Sequence, residues 1–358
     1  MKSYNHLFEK LLDDDYILSC INLASKGKRN RREVKHVYAD LPGHIEAIKR
    51  ILLTDSYSPR KHVPKTIVER GKTRQIVKPD FWYECIVQHM VIGVLEPILI
   101  ARFYKYSCAS IPNRGISFGK RAMERFVRKL QNDRDPGPIY ALKIDIRKFF
   151  ENVNTVILKK QLGRLIRDKR FLKLCYDIID SSTVLGLPLG FVTSQWFANL
   201  YLTPLDNFIK QTLRCEYTIR YMDDVVILSK KSAFLRHVRR AIEQYLAFEL
   251  KVCMKKNYQV FKIGTDHTNG RPVDFMGFKF YLNRTTLRKS SLSATMKKIR
   301  KVNKKPSPSV KDSRQLLSRL GWMKQCQTHE YFVRHIKQNV NVKTLRRTIS
   351  DYDRRLVA

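Results

Sequence analysis

Three features of this 358-residue chain predict an α+β fold. Tyr217 to Met222 and Val225 to Ser229 are rich in β-branched and aromatic residues and read as the arms of a β-hairpin, with Asp223-Asp224 at its bend and Arg220 just before it. Ile67 to Val77 alternates around Gly71 and reads as a second hairpin. Apolar residues recur at helical spacing in Leu7 to Leu12, in Ile17 to Ala24 and through 286–358. Hairpins and separate helical stretches around one apolar core define this class, and 43% apolar residues suffice to build it. The length predicts two or three subdomains.

Charge narrows the partner. Lys and Arg number 70 against 32 Asp and Glu, a net charge of +38, which suits a polyanion, nucleic acid first. A membrane surface is the other polyanion to weigh. No apolar segment is read as approaching the roughly 20 residues of a spanning helix, and no signal peptide opens the sequence, so no membrane is expected. The seven cysteines, scattered without a C-x-x-C pair, predict reduced thiols and a cytoplasmic protein. No internal repeat or long low-complexity tract is present.

Along the chain, Asp13-Asp14-Asp15 reads as a solvated turn, since three consecutive carboxylates point in different directions. Ser25 to Lys35 carries Lys26, Lys28, Arg29, Arg31, Arg32 and Lys35 around a single Glu33, either a solvated face or a phosphate-tracking segment. On the second strand of the Ile67–Val77 hairpin Lys72 and Arg74 share a face, where both can reach a triphosphate or merely charge an edge strand. Cys85 to Ile98 reads as a helix with His89 packed in it, ending before Tyr106 to Gly115. The apolar strand Ile139 to Ile144 ends on Asp145, and the chain turns into Phe149-Phe150. Gly186 to Gln195 is a glycine-rich loop. Thr203-Pro204 reads as an N-cap and first-turn proline of a helix from Leu205 towards Leu213.

The chemistry rests on acidic residues. Adjacent carboxylates such as Asp223 and Asp224 repel, and a divalent cation with hard oxygen ligands at about 2.0–2.1 Å removes the repulsion. If the strand ending on Asp145 lies beside the hairpin, three carboxylates can hold two Mg²⁺ ions roughly 3.5–4 Å apart, the clamp of in-line nucleotidyl transfer. Either segment alone reads equally as an acidic turn or a strand-end cap. Together, in this order, they point to catalysis.

Asp145 followed by Tyr221-Met222-Asp223-Asp224 resembles the palm signature of reverse transcriptases. The resemblance implies a right-hand polymerase of fingers (1–135, with a basic helical N-terminal segment), palm (136–285) and basic helical thumb (286–358). It implies that Asp145 and Asp223 bind both metals, Mg²⁺ or Mn²⁺ in its place, with Asp224 in support and the Ile146 carbonyl as a further ligand; Tyr221 and Met222 would face the primer–template. Phe150 falls where the family has an aromatic steric gate against a 2′-hydroxyl, while one of Phe149 and Phe150 packs in the core. Lys72 and Arg74 fall in the fingers hairpin, Arg114 in a template-holding segment, and Lys256 where a lysine serves as general acid, unless it is a solvated charge. Met276-Gly277 falls in the primer-grip turn.

Residues 286–358 carry 19 Lys and Arg against 4 Asp and Glu, and Arg288, Lys289, Lys297, Lys298, Arg300 and Lys301 would track a duplex without reading bases. Ser318-Arg319-Leu320-Gly321-Trp322 resembles the thumb of the reverse transcriptases of diversity-generating retroelements, and Trp322 reads as core. Most reverse transcriptases have glutamine at the position of Leu189 and proline at that of Gln195. Leu189-Gly190-x-x-x-Ser194-Gln195 instead resembles the reverse transcriptases of diversity-generating retroelements. That subgroup implies a template-repeat RNA, deoxynucleoside triphosphates, an RNA–DNA duplex, a small basic oligomeric accessory protein, substitutions at template adenines and a bacterial or phage-infected host cytoplasm. The resemblance covers nearly the whole chain, leaving an RNase H, maturase or endonuclease domain unexpected. A retron or antiviral-defence reverse transcriptase shares the carboxylates but favours a different Leu189 to Gln195 loop; a catalytically dead RNA-binding relative would not need Asp145, Asp223 and Asp224 intact.

Overall fold

The computed structural model describes residues 3–59, 62–69, 71–182, 184–327 and 329–357. Its contacts divide the chain into two interleaved compact units. The first holds the described residues up to Arg114, Ile144–Val225 and His237–Tyr258; the second holds Gly115–Lys143, Val226–Arg236 and the described residues from Gln259 onward.

The first unit opens with a 3₁₀ turn, Glu9–Leu12, and α1 (Asp14–Ser25). Asp13 is the N-cap of α1, its carboxylate accepting from the Tyr16 amide at 2.7 Å, and Asp14 and Asp15 lie in the first turn, where negative charge meets the positive end of the helix dipole. The acidic triplet is therefore a helix start, not a solvated turn. Next come α2 (Arg32–Ala39), α3 (Leu41–Leu53) and the antiparallel pair β1 (Lys65–Glu69) and β2 (Lys72–Ile76), in which Ile67 faces Arg74. The central helix α4 (Ile86–Ile100) packs against α1 and α9 (Val192–Asn207), with Val87, Met90 and Val91 fully buried.

With the turn before it, α4 forms a stretch, Phe81–Ile100, whose 20 residues and mean hydropathy of 1.4 meet the length and composition of a membrane span, contrary to the sequence reading. Sixty-one per cent of it is buried inside the protein, and an all-round apolar helix is what a core position requires.

Between α4 and α9 lie α5 (Ile116–Gln131), β3 (Tyr140–Asp145), α6 (Phe149–Asn152), α7 (Thr155–Leu165) and α8 (Lys169–Asp180). α9 runs straight through Thr203-Pro204. Thr203 is not a cap: its hydroxyl donates to the Asn199 carbonyl inside the helix at 3.0 Å. Burial of α9 on nearly every face, from Trp196 through Leu205, outweighs the hydrogen bond that Pro204 removes.

The central sheet has strand order β4-β5-β3-β6, formed by β4 (Tyr217–Tyr221), β5 (Asp224–Ser229), β3 and β6 (Gln259–Lys262), and α10 (Ser232–Phe248) follows β5. β3 and β6 run antiparallel, Tyr140 facing Lys262 and Lys143 facing Gln259.

In the second unit β7 (Val273–Phe275), β8 (Phe278–Phe280) and β9 (Thr285–Leu287) form a three-stranded sheet, followed by α11 (Lys289–Asn303), α12 (Val310–Met323), α13 (His329–His335) and α14 (Val342–Val357). The β7–β8 turn is Met276-Gly277, both at positive φ, 51° and 86°, the pattern of a type I′ hairpin turn. Trp322 stacks on Phe278 at 5.6 Å, so a Cβ on Gly277 would lie 3.0 Å from its ring. α12 packs along α14, and Lys298 and Lys305 each reach Asp312 at 2.6 Å, holding its carboxyl well below the usual carboxylate range.

Candidate active site

β4 ends at Tyr221, Met222-Asp223 makes the turn, and Asp224 opens β5. Met222 takes the left-handed conformation, φ 52°, which lets two strands join through two residues. Beyond β3, the Ile146 amide donates to the Asp223 carbonyl at 3.3 Å, the Arg147 amide to Cys253 at 2.8 Å, and the Lys255 amide to the Asp145 carbonyl at 2.8 Å. Asp145 is thereby fixed between the hairpin turn and the 253–255 segment.

The side chains match this clamp. Burial, and then the charge of Asp145, push the Asp223 carboxyl up to about 6, while Lys255 opposes the shift. The Lys255 ammonium lies 2.6 Å from the nearer Asp145 oxygen. A buried carboxyl whose ionisation a neighbouring carboxylate opposes, with an ammonium drawn against that neighbour, supplies oxygen donors that suit a hard divalent ion, and the Ile146 carbonyl adjoins Asp145 in sequence. The expected meeting of three carboxylates is not found: among the described residues no group of three or more His, Cys, Asp or Glu side chains is placed to hold a metal. Asp224 opens β5 just beyond the turn that carries Asp223.

Lys255, not Lys256, reaches Asp145; Lys256 is exposed. Phe149 is buried and Phe150 half-buried, so the first is the core ring of the pair. The Leu187 amide donates to the Phe150 carbonyl at 2.7 Å, and Gly186, at φ 71°, sits so close that a Cβ there would lie 2.2 Å from that oxygen. The Val77 amide donates to the Leu189 carbonyl at 2.8 Å, and a Cβ on Gly190, at φ 122°, would lie 2.1 Å from the Val77 oxygen. The loop thus joins Phe150, Leu189 and Gly190 to the end of the β1–β2 hairpin. Arg74 is exposed on β2, while the side chain of Lys72 lies outside the described residues.

The other expected contact residues differ in exposure. Ser194 is buried at 1% exposure, its hydroxyl without a hydrogen-bond partner among the described residues, whereas Gln195 is exposed; Tyr221 and Met222 are half-buried. Arg114 turns back on its own segment, donating to the Phe103 and Tyr104 carbonyls at 3.5 and 3.4 Å. Within the second unit Arg288 is paired with Asp274 and Lys298 with Asp312, because each has a carboxylate within its own unit, while Lys289 and Lys297 remain exposed. Met276 is buried at 9% exposure.

Sequence reasoning noted Arg220 only as a neighbour of the turn, and missed Asp206 and Asn199. Arg220 is wholly buried, forked onto Asp206 at 2.8 and 2.6 Å, and donates to Asn199 Oδ1 at 3.1 Å and to the Met222 carbonyl at 3.0 Å. An arginine inside an apolar strand beside an acidic turn was the available signal, since such a residue needs a buried acceptor.

Residues 61–280 match the family model described as reverse transcriptase (RNA-dependent DNA polymerase), more than half of the chain. The chain belongs to the reverse transcriptase family. Members of this family generally use divalent metals, in keeping with the Asp145–Asp223 pair. This reverse transcriptase is 24% identical to protein YkfC of Escherichia coli K12 over 186 residues, 48% of the chain and 47% of YkfC, so it spans about half the length of that relative. Among solved structures it is similar to apo telomerase from Candida tropicalis, with a TM-score of 0.52 and 16% identity over 72% of this chain and 50% of that one. Telomerase from Candida albicans, in complex with a TWJ fragment of telomeric RNA, gives 0.50 and 12% over 71% and 54%. These likenesses identify the fold as the α+β right-hand polymerase.

Proposed function

We propose that this reverse transcriptase is an active RNA-directed DNA polymerase, and the observation that carries the reading is the Asp145–Asp223 pair, held by the β3 end and the β4–β5 turn with Lys255 against it. Asp145, Asp223 and the Ile146 carbonyl would hold divalent cations, with Asp224 in support from the adjacent strand. Bound cations would supply a lowered pKa for the primer 3′-hydroxyl and stabilise the pyrophosphate that leaves after in-line attack on the α-phosphorus. Lys255, freed from Asp145, would donate a proton to the leaving pyrophosphate, the role the resemblance suggested for Lys256. Phe150 would exclude a 2′-hydroxyl, and Lys72 and Arg74 would bind the triphosphate. In the second unit the Met276-Gly277 turn and the exposed Lys289 and Lys297 would contact primer–template backbone.

The finer reading is a diversity-generating retroelement enzyme that copies a template-repeat RNA with help from a small basic oligomeric accessory protein and misinserts at template adenines. Its support is Leu189-Gly190-x-x-x-Ser194-Gln195. Leu189 offers no amide beside the Phe150 segment, and a lost hydrogen bond of about 1–3 kcal/mol corresponds to roughly tenfold or greater loss of discrimination. Primer extension on an RNA template with Mg²⁺ tests both levels. Deoxynucleotide incorporation by the wild type, with mixed products opposite adenine that Leu189→Gln reduces, is expected. No extension defeats the enzyme reading; faithful extension, or an error spectrum unchanged in Leu189→Gln, defeats the subgroup.

A further inference from the structure

A wholly buried ion pair stands immediately behind the catalytic turn, on residues the chemistry itself does not use. Arg220 and Asp206 are 0% and 1% exposed at their side chains. Arg220 Nε and Nη2 bind the two Asp206 oxygens at 2.8 and 2.6 Å, and Nη1 is shared between Asn199 Oδ1 and the Met222 carbonyl. Asn199 is fixed in turn: its Nδ2 donates to the Ala109 carbonyl at 2.8 Å and its Oδ1 accepts from the Ser107 hydroxyl at 3.3 Å. The Arg220 backbone bonds on both sides to the same segment, its amide to Tyr106 at 3.0 Å and its carbonyl to the Cys108 amide at 2.9 Å.

A buried ion pair gives little net stability against apolar residues of like volume, so stability alone does not account for it. Among the described residues its hydrogen bond to the site goes to the Met222 carbonyl. Met222 is the left-handed residue of the turn, and a non-glycine residue keeps that conformation only where its surroundings over-determine it. The next carbonyl, that of Asp223, accepts from Ile146 beside Asp145.

We propose that Arg220 is a positioning residue: its guanidinium, aimed by Asp206 and Asn199, pins the Met222 carbonyl to α9 and so sets Asp223 opposite Asp145 for cation binding. The inference rests on the reading of Asp145 and Asp223 as the cation site. It assigns the guanidinium's planar fork a task that an ammonium point charge does not perform.

Removing Arg220 alone leaves Asp206 buried and uncompensated, so the decisive variant removes both charges, Arg220→Met with Asp206→Leu, in the full-length protein; Arg220→Lys is its companion. Three quantities are measured on each: thermal melting, Mn²⁺ affinity by electron paramagnetic resonance, and primer-extension kcat and KM for deoxynucleotide. For the double variant the proposal expects near-wild-type melting, Mn²⁺ affinity at least tenfold weaker, kcat at least thirtyfold lower, and KM changed less than threefold. Arg220→Lys is expected to weaken Mn²⁺ binding at least fivefold. Wild-type Mn²⁺ affinity in a folded double variant overturns the proposal, as does loss of binding only in step with loss of folded protein. A wild type that binds Mn²⁺ through Asp145 and Asp223 but extends no primer defeats the polymerase reading and leaves the positioning role to be judged on Mn²⁺ affinity alone.

Discussion

Asp223 is poised against its own charge. Its carboxyl titrates near 6 instead of the ordinary 3.8, because burial and then Asp145 penalise ionisation. Between those values the folded protein binds more protons than the unfolded chain, so this group's contribution to stability is fully present below about pH 4 and lost as pH rises through 6. In EDTA, Asp223→Asn is therefore expected to stabilise the protein by on the order of 1–2 kcal/mol at pH 7.5, after discount for residual solvent, and by nothing at pH 4. Melting curves at the two pH values check it, and an equal shift at both contradicts an origin in the Asp223 charge. Lys255→Ala is expected to slow single-turnover extension tenfold or more, and Lys256→Ala less than threefold; the reverse order would return the role to Lys256. Asp145 and Asp223 were legible because the two acidic segments occur together and in this order, where either alone reads as a turn or a cap. Lys255 was not, since two adjacent lysines differ only in which one the short pairing of Ile146 with Met254 turns towards Asp145. Arg220 was visible but its partners were not, because Asp206 and Asn199 lie on another element.

Elements were read best where local chemistry dictates them. The Asp223 hairpin appeared where two acidic residues interrupt apolar runs, whereas the Met276-Gly277 turn was implied by the family resemblance. Helix starts and ends were read less well: Asp13 proved a cap, and α9 swept through Thr203-Pro204 because tertiary burial overrode a local stop signal. The loop from Gly186 to Gly190 was legible as glycine-rich, but not that its glycines admit the carbonyls of Phe150 and Val77. Gly190→Ala, which would place a Cβ 2.1 Å from the Val77 oxygen at a positive φ, is expected to cost about 2–4 kcal/mol in chemical denaturation. Gly115→Ala, where nothing lies within 4 Å of the added carbon, is expected to change stability by less than about 1 kcal/mol. Equal costs at the two sites would mean that the loop yields freely.

At the scale of the molecule, a net charge of +38 makes nucleic-acid binding strongly salt-dependent. The logarithm of the association constant for an RNA–DNA duplex is expected to fall with the logarithm of salt concentration at a slope of about −5 or steeper, and a slope near zero would remove the electrostatic reading. Lys297→Ala should make that slope shallower by about 1, whereas Lys298→Ala, which strips Asp312 of a partner, should act first on the stability of the second unit. Composition pointed to a polyanionic partner, but it could not distinguish lysines facing solvent from those paired inside. In the proposed reaction Asp145 and Asp223 together bind the cations of DNA synthesis. The most direct test of this claim is single-turnover deoxynucleotide incorporation on a primed RNA template, comparing wild type with Asp145→Asn and Asp223→Asn at matched duplex occupancy. Rapid incorporation by the wild type is predicted, with a loss of at least a thousandfold in each variant while duplex binding is retained; incorporation by either variant within tenfold of wild type contradicts the claim.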